Sequence, residues 1–152
     1  MDYFRPGDPH LIQLSGSDST WAGVGPIPRI FPPPTAPIRA VGDSFKSKFA
    51  IERLSEGKFH LKELDLNYHV GKIDEYQGKR DVVKLLDKDA PPQSWVIIPE
   101  GGLFRIQLPG PENLCWTVPI TIGPEPDPLI VLEPYQEGSP RQQWKILPLL
   151  RE

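Results

Sequence analysis

Gly57-Lys-Phe-His-Leu61 recurs 45 residues later in the chain as Gly102-Leu-Phe-Arg-Ile106. In each copy a glycine precedes a segment in which apolar residues alternate with other residues. This alternation is the pattern of a strand that turns one face to the core. The two segments therefore predict equivalent strands, each of which opens a repeated unit of the fold.

A second pattern recurs three times, as an aromatic residue followed two positions later by isoleucine. The copies are Phe49-Ala-Ile51, Trp95-Val-Ile97 and Trp144-Lys-Ile146, at spacings of 46 and 49 residues. Residues two apart on a strand share one face, so each pair is predicted to point into the core. Closure of a barrel is expected to bury the two tryptophans of these copies together with Phe59 and Phe104.

Three units of four short strands follow from these anchors. Further strands are predicted at 11–14, 21–24, 68–73, 81–86, 115–120 and 129–133. By periodicity alone, Arg80 to Asp87 fits a helix as well as a strand. A unit of this kind cannot bury its apolar face alone, whereas three packed around a pseudo-threefold axis would close a barrel. The sequence thus predicts an all-β fold, a β-trefoil with three pseudo-symmetric four-strand units (about 1–55, 56–100 and 101–152) in one domain, 1–152.

Composition excludes several classes of function. The 152 residues suit one domain, and 17 Lys and Arg against 20 Asp and Glu give a net charge of -3. No basic cluster is present to bind nucleic acid, and neither a signal peptide nor an apolar run of membrane-spanning length is found. With one cysteine, Cys115, an intramolecular disulfide is excluded. We expect a cytoplasmic protein without nucleic-acid or membrane partners, while unconventional secretion stays open.

One segment departs from the repeats. Residues 25–37 read GPIPRIFPPPTAP and contain six prolines in thirteen residues, with Arg29 as the only basic residue. Each proline ring fixes its own φ and biases the preceding residue away from helix. The segment is therefore predicted to be a stiff, extended connection.

The last unit resembles that of a known family. Cys115-Trp-Thr-Val-Pro119, Pro128-Leu-Ile-Val-Leu-Glu-Pro134 and Gln142-Gln-Trp-Lys-Ile146 resemble the closing repeat of the fungal serine-protease inhibitors typified by cospin. The middle unit is similar, through Tyr68-His-Val-Gly71 and Ser94-Trp-Val-Ile97. The resemblance covers roughly residues 46–148 and implies a cytosolic β-trefoil from a mushroom. The amino-terminal unit lacks the family's usual opening glycine-threonine-tyrosine strand.

The resemblance also implies a function, inhibition of trypsin-like serine proteases by a basic residue between the second and third strands. Here that connection is the proline-rich segment, and the implied protease-binding residues are Pro26, Ile27, Pro28, Arg29, Ile30 and Phe31. Arg29 would enter an acidic specificity pocket, with Arg29-Ile30 at the scissile bond. A stiff loop loses less entropy on binding. The alternative is that Arg29 is only a solubilising charge on a turn.

Related fungal inhibitors, the mycocypins, suggest other loops and other proteases. They act on cysteine proteases, and some present an asparagine to legumain-type enzymes between strands five and six. Asn67 lies at about that place, although a lone asparagine in a turn usually satisfies the turn itself. Arg141, before the final strand, is a further candidate anchor.

A carbohydrate-binding protein is the rival class. Gln93-Ser-Trp95 and Gln142-Gln-Trp144 fit the Gln-x-Trp pattern of ricin-type lectin repeats, in which the motif chiefly packs the core. The sugar would then need an acidic residue and an exposed aromatic residue. Asp74 with Tyr76, or Glu133 with Tyr135, are the candidate pairs. A plain protein-interaction or storage role also stays open.

The sequence offers little for catalysis or metal binding. Cys115 lies in an apolar strand pattern, where a buried thiol is usually unreactive. His10, His60 and His69 are scattered, and the last two lack the close spacing of a typical metal site. No phosphate-binding loop is present, since Gly101-Gly102 reads as a turn between strands. We predict no enzymatic activity, no cofactor and no metal.

Overall fold

The computed structural model describes residues 8–25, 36–55, 57–119 and 128–149. Within these ranges, helical structure is limited to 3₁₀ turns at Asp43–Phe45 and Pro140–Gln142. None of it is long and apolar enough to cross a membrane. The strands are β1 (Pro9–Leu14), β2 (Trp21–Gly23), β3 (Arg39–Val41), β4 (Phe49–Ser55), β5 (Lys58–Glu63), β6 (Tyr68–Tyr76), β7 (Lys79–Leu85), β8 (Ser94–Glu100), β9 (Leu103–Gln107), β10 (Leu114–Thr117), β11 (Val131–Pro134) and β12 (Trp144–Pro148).

Hydrogen-bonded pairing closes nine of these strands into a barrel. The circuit runs through β1, β4, β5, β6, β7, β11, β10, β9 and β12 and returns to β1, with every neighbouring pair antiparallel. β2, β3 and β8 are additional strands, and β8 pairs with both β5 and β9. The prediction of an all-β fold is confirmed. The prediction of a β-trefoil with three four-strand units is wrong, because the closed circuit has nine strands.

The error has a physical reason. Alternation of apolar residues specifies which face of a strand is buried, and it does not specify which distant strand lies beside it. Four of the pairings, β4 with β5, β8 with β9, β12 with β1 and β7 with β11, join strands from different predicted units. Counting repeats therefore located strands without determining the circuit that closes the barrel.

Among the predictions for single segments, the glycine turn was confirmed and one strand was missed. Arg80 to Asp87, which fitted either a helix or a strand, lies mostly in β7. Gly101 and Gly102 form the turn between β8 and β9, with φ values of 60° and 87° that suit glycine. β3 was not predicted, because its three residues follow the proline-rich segment and are too few to show alternation.

The core is organised around three tryptophans. Trp116 lies between Trp95 and Trp144, with ring centroids 5.7 Å and 6.0 Å away in edge-to-face contacts. All three side chains are fully buried. Phe59 and Phe104 were expected in this centre, but they are only partly buried and pack against it. Trp116 takes the central space instead.

Two of the tryptophans also bind the backbone. The indole N–H of Trp95 donates to the carbonyl oxygen of Val70 at 2.9 Å, and that of Trp144 donates to the carbonyl oxygen of Trp116 at 3.1 Å. The first copy of the motif has Phe49, which carries no such donor. Near Phe49, the backbone N–H of Ser47 donates to the carbonyl oxygen of Ala22 at 3.2 Å.

Three buried residues, one from each repeat, form a closed ring of backbone hydrogen bonds. Ile38 N–H donates to the carbonyl oxygen of Val83 at 2.9 Å, Val83 N–H to that of Ile130 at 3.1 Å, and Ile130 N–H to that of Ile38 at 2.9 Å. We call this set the backbone ring. Each member is fully buried, and the ring satisfies one donor and one acceptor of each.

Shortening the core tryptophan tests this account of the core. Trp144→Ala is expected to lower the free energy of unfolding by about 3–5 kcal/mol through the cavity it leaves. Trp144→Phe should cost less, about 1–3 kcal/mol, because it mainly removes the donor to Trp116. Urea denaturation measures both. Phe45→Ala, at a side chain that is 46% exposed, is the control and should stay within about 0.5 kcal/mol. Equal losses for Phe45→Ala and Trp144→Ala would contradict the account.

The buried His10 predicts a pH dependence. Burial lowers the pKa of His10 below its ordinary value of 6.5, although bonds with the backbone of Asp8 and Phe49 partly offset this. Below about pH 6.5 the unfolded chain therefore takes up a proton that the folded chain resists, and folding stability falls.

The direct measurement is an NMR titration of the His10 imidazole, which should titrate below 6.5. Global stability between pH 7.5 and 5 should fall for the same reason. Burial raises the pKa of Glu63. This increases folding stability as the pH falls, which is opposite to the effect of His10. The titration of the single residue therefore isolates His10. A midpoint at or above 6.5 would refute the assignment.

Candidate functional site

The proline-rich segment connects β2 and β3. Its predicted protease-binding residues, Pro26 to Phe31 with Arg29 among them, lie outside the described residues. The structure bears on them through residues 22–25 and 36–40, which we call the loop root. Gly23 and Arg39 are directly paired across β2 and β3. The segment therefore leaves and re-enters the fold at neighbouring strand positions.

Ser47 fixes the outgoing side of the loop root. Besides its bond to Ala22, its Oγ accepts the N–H of Val24 at 3.2 Å. Ser47 is buried, and its bond to Val24 is partly buried. Gly23 packs so closely on the carbonyl oxygen of Phe45 that a Cβ at this position would overlap it. The chain thus leaves β2 through a tightly packed, hydrogen-bonded turn.

The returning side of the loop root is hydrogen-bonded to β7. Leu85 N–H donates to the carbonyl oxygen of Ala36 at 3.0 Å, and Pro37 pairs with Lys84. Ile38 then enters the backbone ring. From Ala36 onward the chain is held against β7.

A second connection ends beside the loop root. Residues 120–127, between β10 and β11, also lie outside the described residues. Ala40 N–H donates to the carbonyl oxygen of Pro128 at 2.9 Å, and Arg39 pairs with Leu129. Pro128, which follows the segment 120–127, therefore lies beside Ala40 in the loop root.

Asn67 is exposed in the β5–β6 turn. Its φ is 68°, in the left-handed region, and its N–H donates to the carbonyl oxygen of Glu63 at 3.0 Å. The buried Glu63 carboxylate accepts the N–H groups of Asp65 at 2.8 Å and Leu66 at 2.9 Å. These bonds hold a tight turn, which differs from the extended backbone that protease substrates present.

Arg141 is occupied by contacts within the protein. Its guanidinium donates to the carbonyl oxygen of Val118 at 3.2 Å and lies 4.0 Å from the carboxylate of Glu133. It lies in the 3₁₀ turn before β12, and 28% of its side chain is exposed. An acidic pocket would have to replace these contacts before it could bind the guanidinium.

The pairs considered for sugar binding are also engaged. The Arg105 guanidinium lies 3.8 Å from the ring centroid of Tyr135 and pairs with Glu100 at 2.9 Å. A ring face covered by a guanidinium is not open for a sugar to stack on. In the other pair, Asp74 forms an ion pair with Lys72 at 2.9 Å. Its partner Tyr76 packs against the small cluster of Val82, Leu129 and Val131.

The Gln-x-Trp motif has a structural role in the last repeat. The amide nitrogen of Gln142 donates to Thr117 Oγ1 at 3.1 Å and to the carbonyl oxygen of Pro134 at 3.0 Å. Its amide oxygen accepts the N–H of Gln136 at 2.8 Å. All these atoms belong to the protein, so the motif fastens the segment after β11 to β10.

Cys115 is a buried thiol, as the sequence predicted. Burial raises its pKa to about 11, and the thiol donates to the carbonyl oxygen of Asn113 at 3.3 Å. A thiol that stays protonated at neutral pH is a poor nucleophile.

The structure brings together one pair of residues that the sequence did not. His60 and His69 face each other with ring centroids 5.6 Å apart. A nine-residue spacing does not suggest a metal site or any other site. Prediction of the β5–β6 hairpin with its register would have placed them side by side.

Comparison with known proteins shows the fold alone. Neither a protein-family model nor a curated protein matches the sequence. The designed threefold-symmetric protein ThreeFoil is similar with a TM-score of 0.72 and 13% identity, over 93% of this chain and 99% of that one. Cry35Ab1 gives 0.70 and 11%, over 97% of this chain and 37% of its own. A salivary protein of Culex quinquefasciatus from the cysteine- and tryptophan-rich family gives 0.68 and 12%, over 95% of each.

The packing of Gly23 predicts that the loop root tolerates little change. Gly23→Ala should lower the free energy of unfolding by about 1–3 kcal/mol, because the added methyl group displaces the backbone at Phe45. Gly42→Ala is the matched control, since φ there is -78° and no heavy atom lies within 4 Å of the added Cβ. That variant should stay within about 0.5 kcal/mol. Urea denaturation measures the free energy of unfolding of both variants. Equal values for the two variants would refute the close packing at Gly23.

Proposed function

We propose that this protein inhibits proteases of trypsin-like specificity, with Arg29 as the residue that enters the specificity pocket. The observation that carries the proposal is the loop root. On both sides of the segment 26–35 the chain is held by hydrogen bonds, from Val24 to Ser47 on one side and from Ile38 in the backbone ring on the other. A binding loop held at both ends loses less conformational entropy when it docks.

Rigidity of the binding loop also affects whether such an inhibitor stays bound after its target protease cleaves it. A protease that cleaves Arg29-Ile30 must let the two new ends separate before product leaves. The paired positions Gly23 and Arg39 keep the two sides of the segment close together, so the cleaved ends would stay near each other. Separation is then slow, and the bond can re-form.

Two further points support this choice of residue. The residues shared with the cospin-like fungal inhibitors favour a protease as the partner, through a basic residue between the second and third strands. Among the other candidates, Arg141 is bound to Val118, and the side chains considered for sugar binding are used in internal contacts. These candidates would each have to give up an internal contact before binding a partner. The function is one of binding, and we assign no catalytic step to the chain.

A second candidate function is inhibition of a legumain-type cysteine protease through Asn67. Its exposure at the tip of the β5–β6 turn favours it. Its left-handed backbone and its bond to Glu63 would have to change before it could occupy a substrate cleft. We therefore rank it below Arg29.

Charge reversal at Arg29 tests the proposal. Arg29→Glu should weaken inhibition of trypsin by at least about 100-fold, because a buried charge pair is replaced by repulsion. Arg29→Lys should retain inhibition. Arg80→Glu is the matched control, since it reverses the charge of an exposed arginine in another hairpin. The thermal midpoint should be the same for all three variants.

A panel of proteases tests the alternative functions in the same experiment. Trypsin, chymotrypsin, papain and legumain are assayed with wild-type protein and with Asn67→Ala, beside a glycan array. Legumain inhibition lost on Asn67→Ala would move the function to the β5–β6 turn. Wild-type protein that leaves trypsin fully active at micromolar concentration would end the proposal.

A further inference from the structure

The β5–β6 hairpin places two histidines on one face of the barrel. Lys62 on β5 is in register with His69 on β6. His60 lies two residues before Lys62, so it shares that face of β5. The two imidazole rings meet at a centroid separation of 5.6 Å and an interplanar angle of 74°.

This separation suits two ligands of one metal ion. Two imidazole nitrogens at about 2.0–2.1 Å from a zinc ion hold the ring centroids roughly 5–6 Å apart. The observed separation of 5.6 Å therefore lies within the range of two ligands of one ion. Among the described residues neither imidazole makes a hydrogen bond, so its nitrogens are not committed elsewhere.

The geometry points to a binding site for a divalent transition metal ion, of the zinc or copper type, at His60 and His69. Imidazole nitrogens prefer these ions over magnesium and calcium, which take oxygen ligands. In the described ranges no group of three or more His, Cys, Asp or Glu side chains encloses a metal. The site is therefore an open one, in which two histidines hold the ion and water or a ligand from another molecule completes its coordination.

The charges around the pair come from two strands, β4 and β5. Glu52 on β4 is in register with His60 and is the acidic neighbour, while Lys62 on β5 is the basic one. Burial, followed by His60 and Lys62, lowers the pKa of His69, and Glu52 raises it. Glu52 should favour a cation at this place, and Lys62 should oppose it.

Titration of the folded protein with ZnCl₂ at pH 7.5 tests the site. Calorimetry should show saturable binding of one ion per chain, and the thermal midpoint should rise by several degrees because zinc binds only the folded hairpin. MgCl₂ should have no effect. At pH 5.5 zinc binding should weaken at least about tenfold, since protons compete for the imidazoles.

Substitutions assign the ligands. His60→Gln and His69→Gln should each weaken zinc binding at least about tenfold. Lys62→Gln should strengthen it and Glu52→Gln should weaken it, each by about two- to fivefold. In NMR spectra the His60 and His69 imidazole signals should shift together, while those of the buried His10 stay in place.

Circular dichroism of each variant guards against loss of the fold. Since Lys62→Gln predicts a gain, the test does not depend on variants that only lose binding. Two outcomes would overturn the proposal. The first is no saturable heat and no thermal shift up to millimolar zinc. The second is equal zinc binding by wild type and by the variant with both histidines replaced.

Discussion

The fold depends on the backbone ring of Ile38, Val83 and Ile130. Each residue donates one hydrogen bond and accepts one, at 2.9 Å to 3.1 Å, and each is fully buried. An unpaired backbone group in such a place costs about 1–3 kcal/mol. None of the three segments that carry these residues can therefore shift relative to the others without breaking two of the bonds. Because Ile38 also belongs to the loop root, the same hydrogen bonds hold the returning side of the loop root.

In the first copy of the aromatic-isoleucine pattern, a different donor binds the strand carbonyl oxygen. In the other two repeats an indole N–H of Trp95 or Trp144 donates to a strand carbonyl. Phe49 cannot do this, and Ser47 supplies the donor from its backbone. That leaves the Ser47 hydroxyl to accept the N–H of Val24, beside the segment 26–35. The departure from the repeat pattern and the fixing of the loop root are thus one local arrangement.

The residues that could be predicted are those whose role is local. Trp95 and Trp144 are buried as the aromatic-isoleucine pattern indicated, and the glycine turn at 101–102 formed as expected. The nine-strand circuit depends on partners far apart in the chain, which no short pattern records. The contact between His60 and His69 was not predicted for a related reason, since it depends on the register of β5 with β6. The loop root was missed because β3 is only three residues long.

What separates the candidate binding residues is whether the fold already uses them. The Arg141 guanidinium bonds to Val118, and the Tyr135 ring is covered by Arg105, so a ligand would have to displace a contact that stabilises the protein. The backbone of Asn67 is held in a turn by Glu63. A binding residue is most effective when its support is rigid and its own side chain is uncommitted, because binding then costs neither ordering nor broken contacts. The loop root would supply such support to the segment that contains Arg29, and this is why our proposal centres on that segment.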